Sequence, residues 1–185
     1  NNQTVNINAI NINNLSIDEF ENYINNDSIH HTEQFKVTIL EDNYIQINNK
    51  KIKIFNDKNP KNLNWKNENV QYLFETSGAF RTTEKAKQHD VDYIIMSAPP
   101  KDIGITPIYC YGVNENNYKN EHIISAASCT TNCIAPMLKF LYKFNIEHGH
   151  FITVHSATAS QSVVDTANFQ KRTNRTIFNN IIPHT

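Results

Sequence analysis

Apolar and polar residues alternate in several short runs near the start of the chain, and each run predicts a β-strand. Alternation turns one side-chain face toward a core and the other toward solvent. The pattern predicts four strands, in the segments TVNINAI, FKVTIL, NYIQI and KKIKIF. After the first of them, Ser16 and Glu19 have the spacing of a capping box, and apolar residues then recur at helical spacing. A helix over about 17–25 is therefore predicted.

Longer apolar runs that end in small residues follow in the second third of the chain. Residues 70–80 and 91–100 predict buried strands, with a polar helix between them, and residues 122–128 predict one more strand. This order indicates an α/β fold with a parallel sheet, and ligands of such sheets collect beyond the carboxyl ends of the strands. Ser77, Gly78, Ser97 and Ala98 occupy such ends. Plain strand-to-helix turns would account for them equally well.

The last third of the chain predicts a helix and then a strand of a different layer. The helix has one apolar face, formed by Ile134, Met137, Leu138 and Leu141. The strand is predicted in HFITVHSATAS, residues 150–160. Since no linker rich in proline or glycine separates the halves, we expect two tightly apposed domains, residues 1–128 and 129–185.

Composition narrows the class of protein. The 185 residues are 39 % hydrophobic and 19 % charged, with a formal net charge of −1, so charge gives no reason to expect nucleic-acid or membrane binding. No run approaches the roughly 18 apolar residues of a membrane span, and the first residues do not resemble a signal peptide. Three cysteines argue against a disulfide framework and for a reducing compartment. We expect a cytoplasmic protein.

The segment SAASCTTNCIAP, residues 125–136, holds the strongest candidate for chemistry. A cysteine at the start of a helix faces backbone N–H groups and the positive end of the helix dipole, which favours the thiolate. Cys129 has this position in the predicted helix. Its small neighbours leave room for a substrate, and the hydroxyls of Ser128, Thr130 and Thr131 could bind an anion there. Pro136 is expected to bend the helix.

The other candidates near Cys129 have weaker support. Cys133 lies one turn further on, as an inert core residue or a neighbour of Cys129, and the spacing of the two cysteines does not fit a zinc site. We therefore expect no metal. A thiolate needs a base, and His155 lies in an apolar run among hydroxyl residues. A core histidine would look the same, and the pattern does not separate His155 from His122 or His150.

The cysteine segment closely resembles the active-site signature of the glyceraldehyde-3-phosphate dehydrogenase family. Further segments resemble that family in the same order along the chain, less clearly before residue 26. They are NNDSIHH, NDKNPKNLNW, TSGAF, MSAPPKD, GVNENNY, TVHSATASQSVVD and NNIIPHT.

The resemblance implies a role for each matching residue. Cys129 would attack an aldehyde, and His155 would act as its base; the thioester formed after hydride transfer would be cleaved by inorganic phosphate. Ser128 and Thr130 would lie near that phosphate, whereas Thr158, Ser160 and Arg172 would hold the phosphate of the substrate. NAD is the implied cofactor, with NADP as the open alternative, and the cofactor-side residues would be Lys58, Ser77, Gly78 and Ser97.

The resemblance also implies a fold and an assembly. We expect a partial doubly wound, Rossmann-type domain followed by the start of an α+β catalytic domain, in a protein that is a homotetramer when full length. The family's glycine-rich turn is absent from the chain, and its ribose-binding carboxylate falls on Ile12 or Asn13. The family also continues beyond IIPHT. We therefore expect a middle piece, from a partial record or a decayed gene, that alone neither binds NAD nor turns over substrate.

Three alternatives stay open at this point. A dehydrogenase of erythrose 4-phosphate would share the pair of Cys129 and His155. A non-catalytic remnant would act at most as a binding protein. A papain-like protease fits less well, because neither a glutamine nor a glycine-rich oxyanion segment precedes Cys129.

Overall fold

The structure is a computed structural model that describes residues 5–30, 36–167 and 172–183. Its contacts divide the chain into two compact units, Asn1–Asn145 and Ile146–Thr185. The helix that follows Cys129 belongs to the first of these units. The predicted boundary between residues 128 and 129 stays a prediction. A few residues of the predicted strands and quoted motifs lie outside the described residues: Thr4, His31, Phe35 and the last two residues of the chain.

A four-stranded sheet and one helix form the first part of the first unit. The sheet has the order β1-β4-β3-β2; β1 runs parallel to β4, and the other neighbours are antiparallel. The four predicted strands and the helix are confirmed. Their bounds are β1 Ala9–Asn11, α1 Ile17–Asn25, β2 Val37–Leu40, β3 Tyr44–Ile47 and β4 Lys50–Phe55.

Apolar residues of this sheet form a core with α1. Its buried members are Ile12, Val37, Ile45, Ile52 and Ile54, and Ile17, Phe20 and Ile24 of α1 pack against them. The capping box at the start of the helix is confirmed. Ser16 Oγ accepts from Glu19 N at 3.1 Å, and the Glu19 carboxylate accepts from Ser16 N at 2.7 Å.

A three-stranded parallel sheet follows, in the order β5-β6-β7. Its elements are β5 Tyr72–Glu75, α2 Thr83–Ala86, β6 Tyr93–Met96 and β7 Ile123–Ser125. The predicted parallel α/β sheet is thus confirmed. The prediction that β5 is buried is wrong, because Tyr72 and Phe74 are more than half exposed at the edge of the sheet. The helix between the strands is also shorter than predicted.

The helix α3, Cys129–Leu141, begins four residues after β7 and contains Pro136. Its start at Cys129 agrees with the sequence. The apolar face does not pack as a core, because Met137, Leu138 and Leu141 are exposed. Short 3₁₀ helices lie between or after these elements in the described part of the unit, at Pro60–Asn62, Trp65–Glu68, Glu115–Asn117 and Tyr142–Phe144.

The described residues of the second unit form turns and extended segments. The prediction of a strand over 150–160 is wrong, since the described residues of this unit, 146–167 and 172–183, include no strand. A strand needs a neighbouring chain for its ladder of hydrogen bonds. Single backbone hydrogen bonds join the segment at Ser162 to the later segment at 173–177 instead. Ser162 N donates to Thr173 O at 3.1 Å, and Ile177 N donates to Ser162 O at 3.1 Å.

Candidate active site

The carboxyl ends of β5, β6 and β7 meet along one edge of the parallel sheet. Ser97 N, just past β6, donates to Glu75 O at the end of β5 at 3.0 Å. Ala126 N, just past β7, donates to Met96 O at the end of β6 at 2.9 Å. The structure therefore brings the predicted cofactor residue Ser97 together with the segment that leads into Cys129.

A tight turn joins β7 to α3. Ser125 is fully buried; its hydroxyl donates to Ala98 O at 2.8 Å and accepts from Ala127 N at 3.1 Å. Ala127 is 4 % exposed and has a φ of +65°. The left-handed conformation costs a residue with a Cβ about 1–2 kcal/mol and is found disproportionately at functional sites. The surrounding hydrogen bonds hold this strained turn two residues before Cys129.

Ser128 is the N-cap of α3 and places Cys129 at the first helical position. Its backbone is extended, and its Oγ accepts from Thr131 N at 3.0 Å and bonds to Thr131 Oγ1 at 2.8 Å. Cys129 is exposed there, on a helix of 13 residues whose first turn contains no acidic residue. The backbone N–H groups of the first turn lend this end of the helix a positive potential that favours a thiolate.

Asn132 fastens the turn to the helix, and sequence reasoning missed it. Its Nδ2 donates to Ala126 O and to Ser128 O, both at 2.8 Å. Its Oδ1 lies 3.5 Å from the sulfur of the buried Cys110, whose N donates to Asn114 Oδ1 at 2.8 Å. No local sequence pattern marks an amide that reaches back over the first turn of a helix. Asn132 thereby positions the segment from which Cys129 projects.

Of the two alternatives for Cys133, the inert core residue is wrong, because Cys133 is exposed. The alternative of a neighbour in reach of Cys129 stays a prediction. Within the part of the chain that the structure describes, no group of three or more His, Cys, Asp or Glu residues could hold a metal ion.

The predicted cofactor residues at the sheet edge form an open surface. Ser77, Gly78 and Ser97 are exposed. Gly78 has a φ of +72°, and no heavy atom lies within 4 Å of the position a Cβ would take. Exposed hydroxyls and backbone at the carboxyl ends of parallel strands fit the amide and ribose groups of a dinucleotide.

Lys58 lies elsewhere, past the end of β4 in the four-stranded sheet. The preceding residue Asp57 is tied to β1, because Asn11 Nδ2 donates to Asp57 O at 2.9 Å and Asp57 N donates to Asn11 Oδ1 at 3.1 Å. Lys58 itself is exposed. Ile12 is buried in the core beside this edge, so it offers no ligand to a ribose. This edge presents a cation, amide groups and the carboxylate of Asp57, whose oxygens accept from Asn59 N at 2.7 Å and from Asn62 Nδ2 at 2.8 Å.

The second unit holds the remaining predicted residues. His155 is exposed, and its Nδ1 lies 2.7 Å from Ser156 O. Because a carbonyl oxygen can only accept, Nδ1 carries the hydrogen, and a neutral ring then has its lone pair on Nε2. Cys129 lies in the first unit, so the pairing of His155 with Cys129 stays a prediction.

Two predicted phosphate ligands of this unit are adjacent. Thr158 Oγ1 and Ser160 Oγ are 3.0 Å apart, and Thr158 N donates to Gln161 Oε1 at 2.9 Å. Arg172 is exposed, and its neighbour Thr173 is bonded through its carbonyl to Ser162 N. The segments of all three predicted ligands are thus connected by hydrogen bonds within one unit.

Comparison with known proteins decides the family. The family model for the NAD binding domain of glyceraldehyde 3-phosphate dehydrogenase matches residues 1–83, and the model for the C-terminal domain matches residues 128–185. The chain belongs to the glyceraldehyde-3-phosphate dehydrogenase family. The resemblance of the motifs is confirmed, and so is a Rossmann-type domain followed by the start of the catalytic domain.

Individual relatives agree with this assignment. A glyceraldehyde-3-phosphate dehydrogenase of Phytophthora infestans is 42 % identical over 170 residues, which are 89 % of this chain and 50 % of the relative. One of Bacteroides fragilis is 40 % identical over 183 residues, 96 % of this chain and 54 % of the relative. The chain spans about half the length of the curated relatives it matches. No helix in the described ranges is long and apolar enough to cross a membrane.

Proposed function

We propose that the protein is a phosphorylating glyceraldehyde-3-phosphate dehydrogenase, which oxidises glyceraldehyde 3-phosphate to 1,3-bisphosphoglycerate with NAD and inorganic phosphate. The observation that supports this most is the exposed Cys129 at the first position of α3, directly after the strained turn at Ala127. A glycolytic role in the cytoplasm follows from the proposed reaction.

In the first step the Cys129 thiolate adds to the aldehyde carbon. A carbon–sulfur bond forms, and the aldehyde oxygen takes up the proton that left the thiol, so that a thiohemiacetal results. His155 carries this proton in the proposal, because its Nε2 has the lone pair when Nδ1 donates to Ser156 O. The helix N-terminus stabilises the thiolate before the attack.

In the second step the thiohemiacetal becomes a thioester. Bound NAD would accept the hydride that leaves the former aldehyde carbon. His155 Nε2 takes the hydroxyl proton as the carbonyl re-forms. The edge with Ser77, Gly78 and Ser97 would hold the nicotinamide half of the cofactor, and the edge with Lys58 would hold the adenosine half.

In the last step inorganic phosphate attacks the thioester carbonyl. A phosphate oxygen forms the new bond, the carbon–sulfur bond breaks, and Cys129 leaves as a thiolate, ready for the next turnover. The hydroxyls of Ser128 and Thr130 would lie beside the attacking phosphate. Ser128 Oγ accepts from Thr131 N and bonds to Thr131 Oγ1, so Ser128 can donate its proton to a phosphate only when the Thr131 hydroxyl is the donor of that second bond. Thr158, Ser160 and Arg172 would hold the substrate's own phosphate.

The test is NADH formation by the intact protein that carries this chain. We expect absorbance at the NADH band to rise with glyceraldehyde 3-phosphate and NAD, and turnover to require phosphate or arsenate. Cys129→Ser should abolish it, whereas Cys133→Ser, an exposed cysteine one turn further along the same helix, should retain it. Faster turnover of erythrose 4-phosphate would assign the related activity instead. No NADH from either aldehyde would refute an enzyme and favour a binding protein.

A further inference from the structure

A buried carboxylate and a buried imidazole lie beneath the edge that carries Ser77. Glu75, the last residue of β5, is 7 % exposed, and His89 is 6 % exposed. The Oε2 of Glu75 faces Nε2 of His89 at 3.6 Å. Charged groups are rarely buried unless their partners compensate the lost hydration. The two carboxylate oxygens of Glu75 have different partners, His89 for Oε2 and Ser77 for Oε1.

The state of His89 follows from its other nitrogen. Trp65 Nε1 lies 3.3 Å from His89 Nδ1. An indole N–H can only donate, so Nδ1 accepts and the neutral ring carries its hydrogen on Nε2. That N–H points toward Glu75 Oε2. The distance of 3.6 Å is longer than a hydrogen bond, and the contact is an electrostatic one. Phe80 packs edge-on against the ring at 4.7 Å between centroids and keeps it in place.

The other oxygen of Glu75 fixes the loop at the sheet edge. Oε1 accepts from Ser77 N at 2.7 Å and also from the Ser77 hydroxyl. The backbone carbonyl of Glu75 accepts from Ser97 N at 3.0 Å. One buried residue therefore fastens two of the exposed residues that we assign to the cofactor side. Hydrogen bonds to an ionised acceptor are roughly twice as strong as neutral ones.

We propose that Glu75 is a positioning residue for the cofactor, which holds Ser77 and Gly78 in the conformation that binds NAD, and that His89 holds Glu75. The inference rests on the proposed function. A loop that is fixed before binding does not lose conformational entropy when the ligand arrives, so its affinity is higher. Sequence patterns predicted nothing about this pair, because Glu75 ends β5 and His89 lies 14 positions later in a bend after α2.

Glu75→Gln is the direct test. Glutamine has one acceptor oxygen, so either the donors of Ser77 or the N–H of His89 must face an amide NH₂ group. We expect faster hydrogen exchange of the Ser77 amide in the cofactor-free protein, and a dissociation constant for NAD raised about tenfold. At saturating NAD, kcat should stay within about twofold, because Glu75 touches no reacting atom.

Two further variants complete the experiment. Glu68→Gln is the matched control, since Glu68 is a half-buried carboxylate of the first unit that accepts from the Tyr44 hydroxyl at 3.2 Å; NAD affinity should not change. Ser77→Ala removes the hydroxyl and keeps the backbone N–H, so NAD should bind about threefold more weakly. If Glu75→Gln does not fold, hydrogen exchange of the residue 77 amide in the cofactor-free Ser77→Ala protein decides the question, because NAD takes no part in that measurement; unchanged exchange would overturn the positioning role.

The outcomes separate the inference from the function on which it rests. Unchanged NAD affinity, or kcat reduced together with affinity, overturns the positioning role. A wild-type protein that does not bind NAD refutes the proposed function instead. In that case the hydrogen exchange of the Ser77 amide still shows whether Glu75 fixes the loop. If Glu75→Gln leaves this exchange unchanged, the claim that Glu75 fixes the loop is overturned too.

Discussion

Replacing Ser128 by alanine removes the cap that places Cys129 at the start of α3. Ser128 Oγ accepts from Thr131 N at 3.0 Å and bonds to Thr131 Oγ1 at 2.8 Å. Both bonds are lost in Ser128→Ala, because alanine has no hydroxyl. We therefore expect a less stable helix start and a less reactive Cys129.

The loss of unfolding free energy in Ser128→Ala can be estimated from these two bonds. Loss of a serine N-cap costs typically about 1 kcal/mol. The half-buried bond between the hydroxyls adds about 0.5–1 kcal/mol. The total of about 1.5–2 kcal/mol corresponds to a melting temperature lowered by roughly 3–8 °C in a domain of 150–250 residues.

The assay combines calorimetry with the rate of alkylation of Cys129 by iodoacetamide, read by mass spectrometry. Ser128→Asp should restore the melting temperature, because aspartate is an equally good N-cap. Thr82→Ala is the matched control: Thr82 caps α2 through a bond from Lys85 N at 3.2 Å, so this variant should lose stability without slowing alkylation of Cys129. An unchanged melting temperature in Ser128→Ala would refute the role of the cap.

Three further predictions concern reactivity, catalysis and pH. Iodoacetamide should modify Cys129 at least about tenfold faster than the buried Cys110; equal labelling would contradict the assignment of the nucleophile. His155→Asn in the intact protein should lower kcat by about 10²–10⁴ with little change in KM, and unchanged kcat would remove His155 from the mechanism. Burial lowers the pKa of His89 below 6.5, against a smaller opposite effect of Glu75. The unfolded chain then binds the proton more readily, so the stability supplied by neutral His89 is present above pH 6.5 and is lost as the pH falls through that value toward the lower folded pKa. Urea denaturation between pH 7 and 5 should show this loss, and His89→Gln should reduce it; an identical loss in the variant would refute it.

Local patterns predicted the elements whose formation depends on local contacts. The capping box at Ser16 and Glu19 placed α1, and alternation placed the strands of the first sheet. The start of α3 at Cys129 followed from its small, hydroxyl-rich flank. In each case the residues that form the element carry the signal themselves.

Predictions failed where burial depends on partners distant in sequence. The run at 150–160 has the composition of a strand, yet no neighbouring chain in the described part of its unit supplies a ladder. On the apolar face of α3, Met137, Leu138 and Leu141 are exposed although their helical spacing predicted burial. The strained turn at Ala127 and the anchor Asn132 were missed, because left-handed backbone at an alanine and an amide reaching back over a helix start have no local pattern. Glu75 and His89 were missed in the same way, because they lie 14 positions apart in sequence and meet only through their side chains.

The most direct test of the account is to trap the acyl group on Cys129. The intact protein is incubated with NAD and glyceraldehyde 3-phosphate in the absence of inorganic phosphate, quenched in acid and examined by peptide mass spectrometry. We predict a phosphoglyceroyl thioester on the peptide that contains Cys129, which disappears when phosphate is added before the quench. An adduct on Cys133 alone, or NADH formation without any acyl-cysteine, would contradict the account.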